Sequence, residues 1–297
     1  MAKVIGAGKG VCTIVLFTIN AMLVCIPLLI VCPIKLISPQ SLRRFWERKL
    51  DHWVIDGWVG TNRLLIRWLS LANVSVTWCG ADDLSREQWY MVISNHQSWT
   101  DILVLQTTLF DRIPPVKFFT KRQLIWIPFV GIAMWLLGFP YVRRLDRTQV
   151  TRAANKGTKS DRQATLEACE RFRSHPTAVL NFLEGTRFTP EKHARQAGRY
   201  RHLLNPKVGG LSYVMGGLSS HLHKLLDITI VYPDGTPTFW EFLQGKCTAV
   251  NVRIDCYDIP ADLREVTDDS EQRKLLAPWV RDLWQAKDER IHNGKAD

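Results

Sequence analysis

Between Lys9 and Lys35 lie 25 consecutive residues without a charge, GVCTIVLFTINAMLVCIPLLIVCPI, and this run constrains the chain more than any other feature. As a helix rising 1.5 Å per residue it is roughly 37 Å long, enough to cross the ~30 Å hydrocarbon core of a bilayer. A cleaved secretory leader is the competing reading, but its apolar region is shorter and no small-x-small cleavage site precedes Lys35 and Leu36. The run therefore predicts an N-terminal membrane-anchoring helical segment. Pro27 and Pro33 lack an amide donor and clash with the preceding turn, so a kinked span or a shallow hairpin stays open.

Two lysines precede the run, whereas Lys35, Arg43, Arg44, Arg48 and Lys49 follow it closely. The positive-inside bias then places the rest of the chain in the cytoplasm. The seven cysteines agree, since an odd number at irregular positions, with no CxxC pair, fits neither a disulfide framework nor a zinc site. From Phe45 to Leu71, Trp46, Trp53, Trp58 and Trp68 are interleaved with Arg and Lys, a mixture suited to the wet boundary of a bilayer. The same tryptophans would also serve the core of an amphipathic helix. A second apolar run, from Leu124 to Val142, is interrupted by Pro128, Gly131, Gly138 and Pro140. Buried helix and strand segments, or a face dipping into lipid, are expected there rather than a second span. These readings divide the chain into an anchor with an interfacial helix, residues 1–73, and a catalytic domain, residues 74–297.

Charge is concentrated in the middle of the chain. Residues 112 to 207 hold 19 Lys and Arg against 6 Asp and Glu, a net +13, while residues 208 to 297 hold 10 against 14, a net −4. Such a zone suits nucleic acid, anionic headgroups or phosphate-bearing substrates alike. No RNA-binding aromatic signature, zinc-finger pattern or long like-charge run accompanies it, so nucleic acid is set aside.

Chemistry enters at two strand ends. WYMVIS, residues 89 to 94, reads as a buried strand, runs into NHQSWTD, residues 95 to 101, and is followed by the helix-like ILVLQTTLF. His96 thus falls at a strand-to-helix turn as a candidate general base. Asp101, five residues on, can fold back to fix its tautomer and stabilise the imidazolium. Chance supplies about half an HxxxxD per chain of this composition, so that pair alone decides nothing. A second predicted strand, TAVLNFL at residues 177 to 183, delivers Glu184, Gly185, Thr186 and Arg187 at its end. Here Arg187 offers a planar fork for phosphate, Thr186 a hydroxyl, and Gly185 a close backbone approach. Glu184 can anchor either the acceptor or the loop. An exact tetrapeptide of this kind arises by chance roughly once in several hundred chains.

NHQSWTD followed about eighty residues later by FLEGTR resembles the PlsC-like glycerolipid acyltransferases related to 1-acylglycerol-3-phosphate acyltransferase. GFPYVRR (residues 138 to 144), NPKVGG (205 to 210) and IVYP (230 to 233) resemble further blocks of that family in the same order, over roughly residues 75 to 235. The hydrophobic N-terminus and the double-arginine ending of the second block resemble the bacterial inner-membrane YihG-type members. Leu183 stands where the family usually has proline, and Arg143 where it commonly has an acidic residue.

The resemblance implies an α/β fold, a mixed sheet flanked by helices. It implies acyl transfer from acyl-CoA or acyl carrier protein to the free hydroxyl of a lysophospholipid, 1-acyl-glycerol-3-phosphate by default. It also implies an inner-membrane location facing the cytoplasm and no bound cofactor or metal. Arg144 and Arg187 would grip the acceptor phosphate, with Lys121 a weaker candidate. Lys117 reads as surface charge or a lipid contact. Ser94 and Ser98 lie outside any GxSxG elbow, which disfavours an acyl-enzyme. The other histidines, His52, His175, His193, His202, His221, His223 and His292, show no metal-ligand spacing. Two rivals stay open: a thioesterase in which His96 activates water, and a non-enzymatic membrane scaffold with relic motifs.

Overall fold

The uncharged run folds as part of one helix, α1 (Ala2–Ile37), which continues through Pro27 and Pro33. The computed structural model describes residues 2–127, 129–142, 161–196, 198–264, 266 and 268–294. Of the alternatives left open by the prolines, the hairpin is therefore not adopted. Within Ile5–Ile34 an 18-residue stretch has a mean hydropathy of 2.7, and one helix among the described residues is long and apolar enough to cross a membrane. Thr13, Phe17, Asn20, Ala21, Cys25, Leu28 and Val31 are buried at three- and four-residue intervals. The Thr13 hydroxyl lies 3.1 Å from the Leu243 carbonyl, and the Asn20 amide donates to the Trp58 carbonyl and Asn62 Oδ1. The opposite face exposes Val15, Ile19, Leu23, Ile26 and Ile30. A helix apolar all round, with only one face covered by protein, suits lipid on the other. It is the candidate membrane anchor, and it lies against the body along much of its length.

The chain continues through α2 (Gln40–Leu50), a π-helical turn (Asp51–Asp56) and α3 (Gly57–Trp68). Trp53 and Trp68 on this stretch are exposed, while Trp46 and Trp58 are partly covered. Val54, Ile55 and Val59 pack with Cys25, Leu28 and Val31 of α1.

Among the described residues eight strands follow, with further helices between them. They are β1 (Ala72–Cys79), β2 (Trp89–Ser94), α4 (Thr100–Leu109), β3 (Val116–Phe118), β4 (Thr120–Lys121), α5 (Val130–Leu136) and β5 (Tyr141–Val142). After the undescribed residues come α6 (Asp161–Phe172), β6 (Ala178–Phe182), α7 (Pro190–Ala194), α8 (Gly209–Gly217), β7 (Leu222–Val231), α9 (Phe239–Leu243), β8 (Cys247–Asp258), α10 (Ala261–Arg264) and α11 (Asp269–Asn293). Six strands form one sheet in the order β1-β8-β7-β2-β6-β3, and β4 pairs with β5 in a short ribbon. Among the described pairings of this sheet, that of β7 with β8 is antiparallel and the others are parallel, so the sheet is mixed, as expected.

The unbroken apolar reading of β2 follows from burial on both faces. Tyr90 and Val92 pack on one side with Leu103, Val104, Phe17 and Ile66, and Met91 and Ile93 on the other with Phe172, Met215 and Trp284. Because Phe17 of α1 and Ile66 of α3 belong to the same cluster as the sheet residues, the anchor segment and the sheet share a core. After β2 the chain enters α4 on the first face; after β6 it reaches α8 on the second. Neighbouring parallel strands whose helices leave to opposite faces open a crevice at their C-terminal ends, which is where both candidate motifs lie.

The run from Leu124 to Val142 is broken into a 3-10 turn (Arg122–Trp126), α5 and β5, all too short to span. Ala133, Leu137 and Phe139 are buried, whereas Trp126 is 84% exposed and Ile132 and Trp135 also face outward. Lys117 departs from its expected surface role. It is buried, with Nζ 2.6 Å from Asp51 Oδ2 and 2.9 Å from the Leu137 carbonyl. His175 Nε2 lies 2.6 Å from the same Asp51 oxygen. Burial alone would raise the Asp51 carboxyl, but Lys117 and His175 outweigh it and hold it below the usual range. The π-helical turn is thereby tied to β3 and to the loop before β6. Asp51→Ala should cost about 3–5 kcal/mol, because Lys117 is left buried without its carboxylate. Denaturant unfolding in detergent checks this; a loss below about 1 kcal/mol would match an exposed pair instead.

Candidate functional site

A side-chain bridge to the neighbouring strand builds the turn after β2. Asn95 is fully buried and bridges to β7, donating from Nδ2 to the Ile230 carbonyl (2.9 Å) and accepting at Oδ1 from the Ile230 amide (2.8 Å). This pins the following residue, His96, at the crevice. Its Nδ1 lies 2.8 Å from Asp101 Oδ2, and the side chain is 14% exposed. The same carboxylate oxygen accepts from the amides of Gln97 (2.6 Å) and Ser98 (2.9 Å), so the proton between ring and carboxylate belongs on Nδ1. Nε2 is then the edge of the imidazole with a lone pair to offer. Asp101 itself is fully buried at the start of α4 and acts on the ring rather than on a substrate.

Phe182, the last residue of β6, completes the clamp. Its ring lies 4.0 Å from the imidazole centroid, with an interplanar angle of 18°. One in-plane hydrogen bond and one stacked ring together leave the imidazole little rotational freedom. Neither Phe182 nor Asn95 was singled out from sequence. Both read there as ordinary strand and turn residues, and only the pairing of β2 with β6 and β7 reveals what they touch.

In the second motif, Glu184 takes the anchoring role of the two that sequence left open. It is 1% exposed, and its oxygens accept from the His96 amide (3.0 Å) and the Leu204 amide (3.3 Å). The carboxylate thus ties the end of β2 to the loop before α8. Burial pushes its pKa up to about 8, against the lowering effect of those two amides and of Lys287. Gly185 has φ +69°, a backbone angle at which a side chain is strained. A Cβ there would also come within 3.2 Å of Lys207 Cδ. The Phe188 amide donates to the His96 carbonyl at 2.7 Å, a second tie between the turns.

Cations gather around the same turn. Thr186 Oγ1 and the Arg187 carbonyl accept from Lys192 Nζ, both at 2.9 Å. The Arg187 guanidinium lies 4.7 Å from the Trp99 ring centroid, a cation–π contact that steadies a long side chain. Lys192, in the first turn of α7, was missed from sequence because only the fold of the loop returns it to Thr186. Lys207, from the NPKVGG segment, closes over Gly185. Lys121 has its backbone paired with Val142, which brings the strand bearing it beside the one leading to Arg144. The Lys121 side chain and all of Arg144 lie outside the described residues. Ser98 donates to the Pro237 carbonyl and Ser94 to the Asn95 carbonyl, both fully enclosed, so neither is presented as a nucleophile. Among the described residues no group of three or more His, Cys, Asp and Glu side chains is arranged to hold a metal.

The family model described as Acyltransferase matches residues 75–262. Mouse "1-acyl-sn-glycerol-3-phosphate acyltransferase epsilon" is 25% identical over 218 residues, covering 66% of this chain and 55% of that protein. Mouse "1-acyl-sn-glycerol-3-phosphate acyltransferase alpha" is 32% identical over 124 residues, covering 42% and 39%. The chain thus spans about half or less of the length of these curated relatives. The crystal structure of "the 1-acyl-sn-glycerophosphate (LPA) acyltransferase, PlsC, from Thermotoga maritima" has the same fold, with a TM-score of 0.56. It is 17% identical, over 100% of this chain and 99% of that one.

The pKa of Glu184 gives a signed expectation. In the folded state it is raised to about 8 from 4.5, so the stability it contributes is complete below pH 4.5 and is lost as pH rises towards 8. The stability difference between the wild type and Glu184→Gln should therefore fall between pH 5 and pH 8.5 in denaturant titrations. A difference that is flat across this range would mean that the carboxylate is ionised throughout.

Proposed function

Because this chain belongs to the acyltransferase family, we propose that it moves a fatty acyl group from a thioester donor to the free hydroxyl of a lysophospholipid. The acceptor proposed is 1-acyl-glycerol-3-phosphate, in line with the names of its relatives. One observation carries this reading. An imidazole oriented by Asp101 at 2.8 Å sits where β2 ends, and the cationic turn of Thr186, Arg187, Lys192 and Lys207 sits where the adjacent β6 ends. A base for a hydroxyl and a cradle for a phosphate are thus neighbours, as an acceptor bearing both groups requires.

In the proposed reaction His96 Nε2 takes the hydroxyl proton as the acceptor oxygen attacks the thioester carbonyl carbon. The imidazolium formed is stabilised by the Asp101 carboxylate. Collapse of the tetrahedral intermediate breaks the carbon–sulfur bond, and the departing thiolate takes the proton back from the imidazolium. The products are an ester and a free thiol, and His96 is regenerated with no covalent enzyme intermediate. The enclosure of Ser94 and Ser98 supports this direct route over an acyl-enzyme.

Arg187 and, in the adjoining block, Arg144 are the proposed phosphate ligands, with Lys121 assisting. Glu184 holds the turn that presents Arg187. Acyl-CoA or acyl carrier protein is the proposed donor, and no cofactor is called for. The exposed apolar faces of α1 and of the segment holding Trp126, Ile132 and Trp135 would seat the protein against lipid, where both acyl chains reside. The charges flanking α1 favour the cytoplasmic side of a bacterial inner membrane, as for the YihG-type members.

A transfer assay in membranes or detergent tests the reading, offering acyl-CoA and acyl carrier protein donors against a panel of lysophospholipids. His96→Ala should lower transfer by about 10²- to 10⁴-fold, the usual scale of general-base catalysis. Transfer to no acceptor, with fatty acid released at an acceptor-independent rate, would identify a thioesterase instead. An Arg187→Ala variant should raise the acceptor KM more for phosphate-bearing lysolipids than for uncharged acceptors; an equal effect on both would remove Arg187 from the phosphate site.

A further inference from the structure

The IVYP block does more than end β7. It places Tyr232 one residue beyond the strand, 3% exposed, with its hydroxyl 2.6 Å from Asp101 Oδ1. Asp101 receives three donors on its other oxygen, His96 Nδ1 and the amides of Gln97 and Ser98. Among the described residues, Tyr232 is the donor at Oδ1. The Tyr232 oxygen in turn lies 2.8 Å from Thr100 Oγ1. Since the Tyr232 proton faces a carboxylate, the Thr100 hydroxyl must be the donor in that second bond. The result is a buried chain, Thr100 to Tyr232 to Asp101, which meets the imidazole from the far side.

This chain matters because, among the described residues, Asp101 pairs with the His96 imidazole and with no Lys or Arg side chain. A carboxylate buried without a cation keeps its charge only through hydrogen-bond donors, each of which also fixes its rotation. Three donors on Oδ2 leave Oδ1 dependent on Tyr232. Burial and the nearby carboxylate drive the Tyr232 hydroxyl far above its ordinary pKa, so it stays a proton donor at any working pH.

Resting on the functional reading above, we infer that Tyr232 is a positioning residue of the site: its hydroxyl, backed by Thr100, holds Asp101 in the rotamer and charge state that orient His96. Tyr232→Phe keeps the ring and removes only the donor. Negative charge then concentrates on Oδ2 beside His96 Nδ1, which favours the imidazolium, while the carboxylate gains freedom to rotate away. In the transfer assay kcat should fall about 10- to 100-fold, with the acceptor KM changed less than about threefold. Thr100→Val should act in the same direction but less.

The decisive readout is the titration of the His96 imidazole, followed by NMR of protein labelled at histidine in detergent. It reports on the ring whether or not the protein transfers acyl groups. Besides Asp101 and Tyr232, the described ionisable groups around this turn are Glu184 on the His96 amide, Arg187 on the Trp99 ring, and Lys192 and Lys207 on the adjoining turn, so the ring must be observed directly. In Tyr232→Phe, or in Thr100→Val if the first variant does not fold, the imidazole midpoint should move upward by about half a pH unit or more. An unmoved midpoint overturns the inference and makes Tyr232 a space-filling residue. If the wild type transfers nothing while the midpoint still moves, the functional reading fails and the link from Tyr232 to His96 stands.

Discussion

The parallel pairing of β2 with β6 is the constraint on which the rest of the site depends. Its register sets Ser94 opposite Phe182, so His96 and Glu184 each lie two residues beyond a paired position. Two motifs 88 residues apart in the chain thereby arrive side by side. The Phe182 ring reaches the imidazole, and the Glu184 carboxylate reaches the His96 amide. A slip by one residue would reverse every side chain of the strand, removing the stacked ring and sending the core residues Met91 and Ile93 to the wrong layer. Core packing and site assembly are therefore one requirement.

The buried charges are handled in different ways, and the contrast is informative. Asp51 is balanced by Lys117 and His175, which join three segments far apart in sequence. Asp227 is balanced by Lys287 and Arg290 of α11, a helix that also holds the loop before α8 through Trp284 and Asp288. Among the described residues Asp101 has no such cation. Its charge is held by amides, a hydroxyl and the imidazole, an arrangement that leaves the ring as the group able to take up positive charge. Ion pairs thus fix the frame, and neutral donors hold the reactive part.

α1 joins the proposed lipid surface to this frame. Its covered face contributes Phe17 to the cluster that contains Tyr90 and Val92 of β2, while its other face remains apolar and bare. The 3-10 turn and α5 add Trp126 and Trp135 to the exposed apolar surface. Cys25 of α1 lies 3.6 Å from the Phe129 carbonyl at the start of α5, so these two surfaces adjoin. The apolar excess of the N-terminal half is thereby divided between the protein core and the face open to lipid.

Much of this was legible in the chain itself. The strand WYMVIS, the strand leading to Glu184, the long apolar helix and the two motifs follow from local periodicity and residue type, because burial on both faces or one writes itself into neighbouring positions. The pairing of His96 with Asp101 was legible too, since five residues of one turn suffice to close it. Sequence did not reveal that Lys117 is buried, that Glu184 serves backbone amides, or that Phe182, Asn95, Lys192 and Tyr232 belong to the site. Each of those depends on a contact between segments whose spacing carries no periodic signal. Sequence by itself determined which residues could do the chemistry; the tertiary structure decided which would touch, because strand register, not chain distance, sets what stands opposite what.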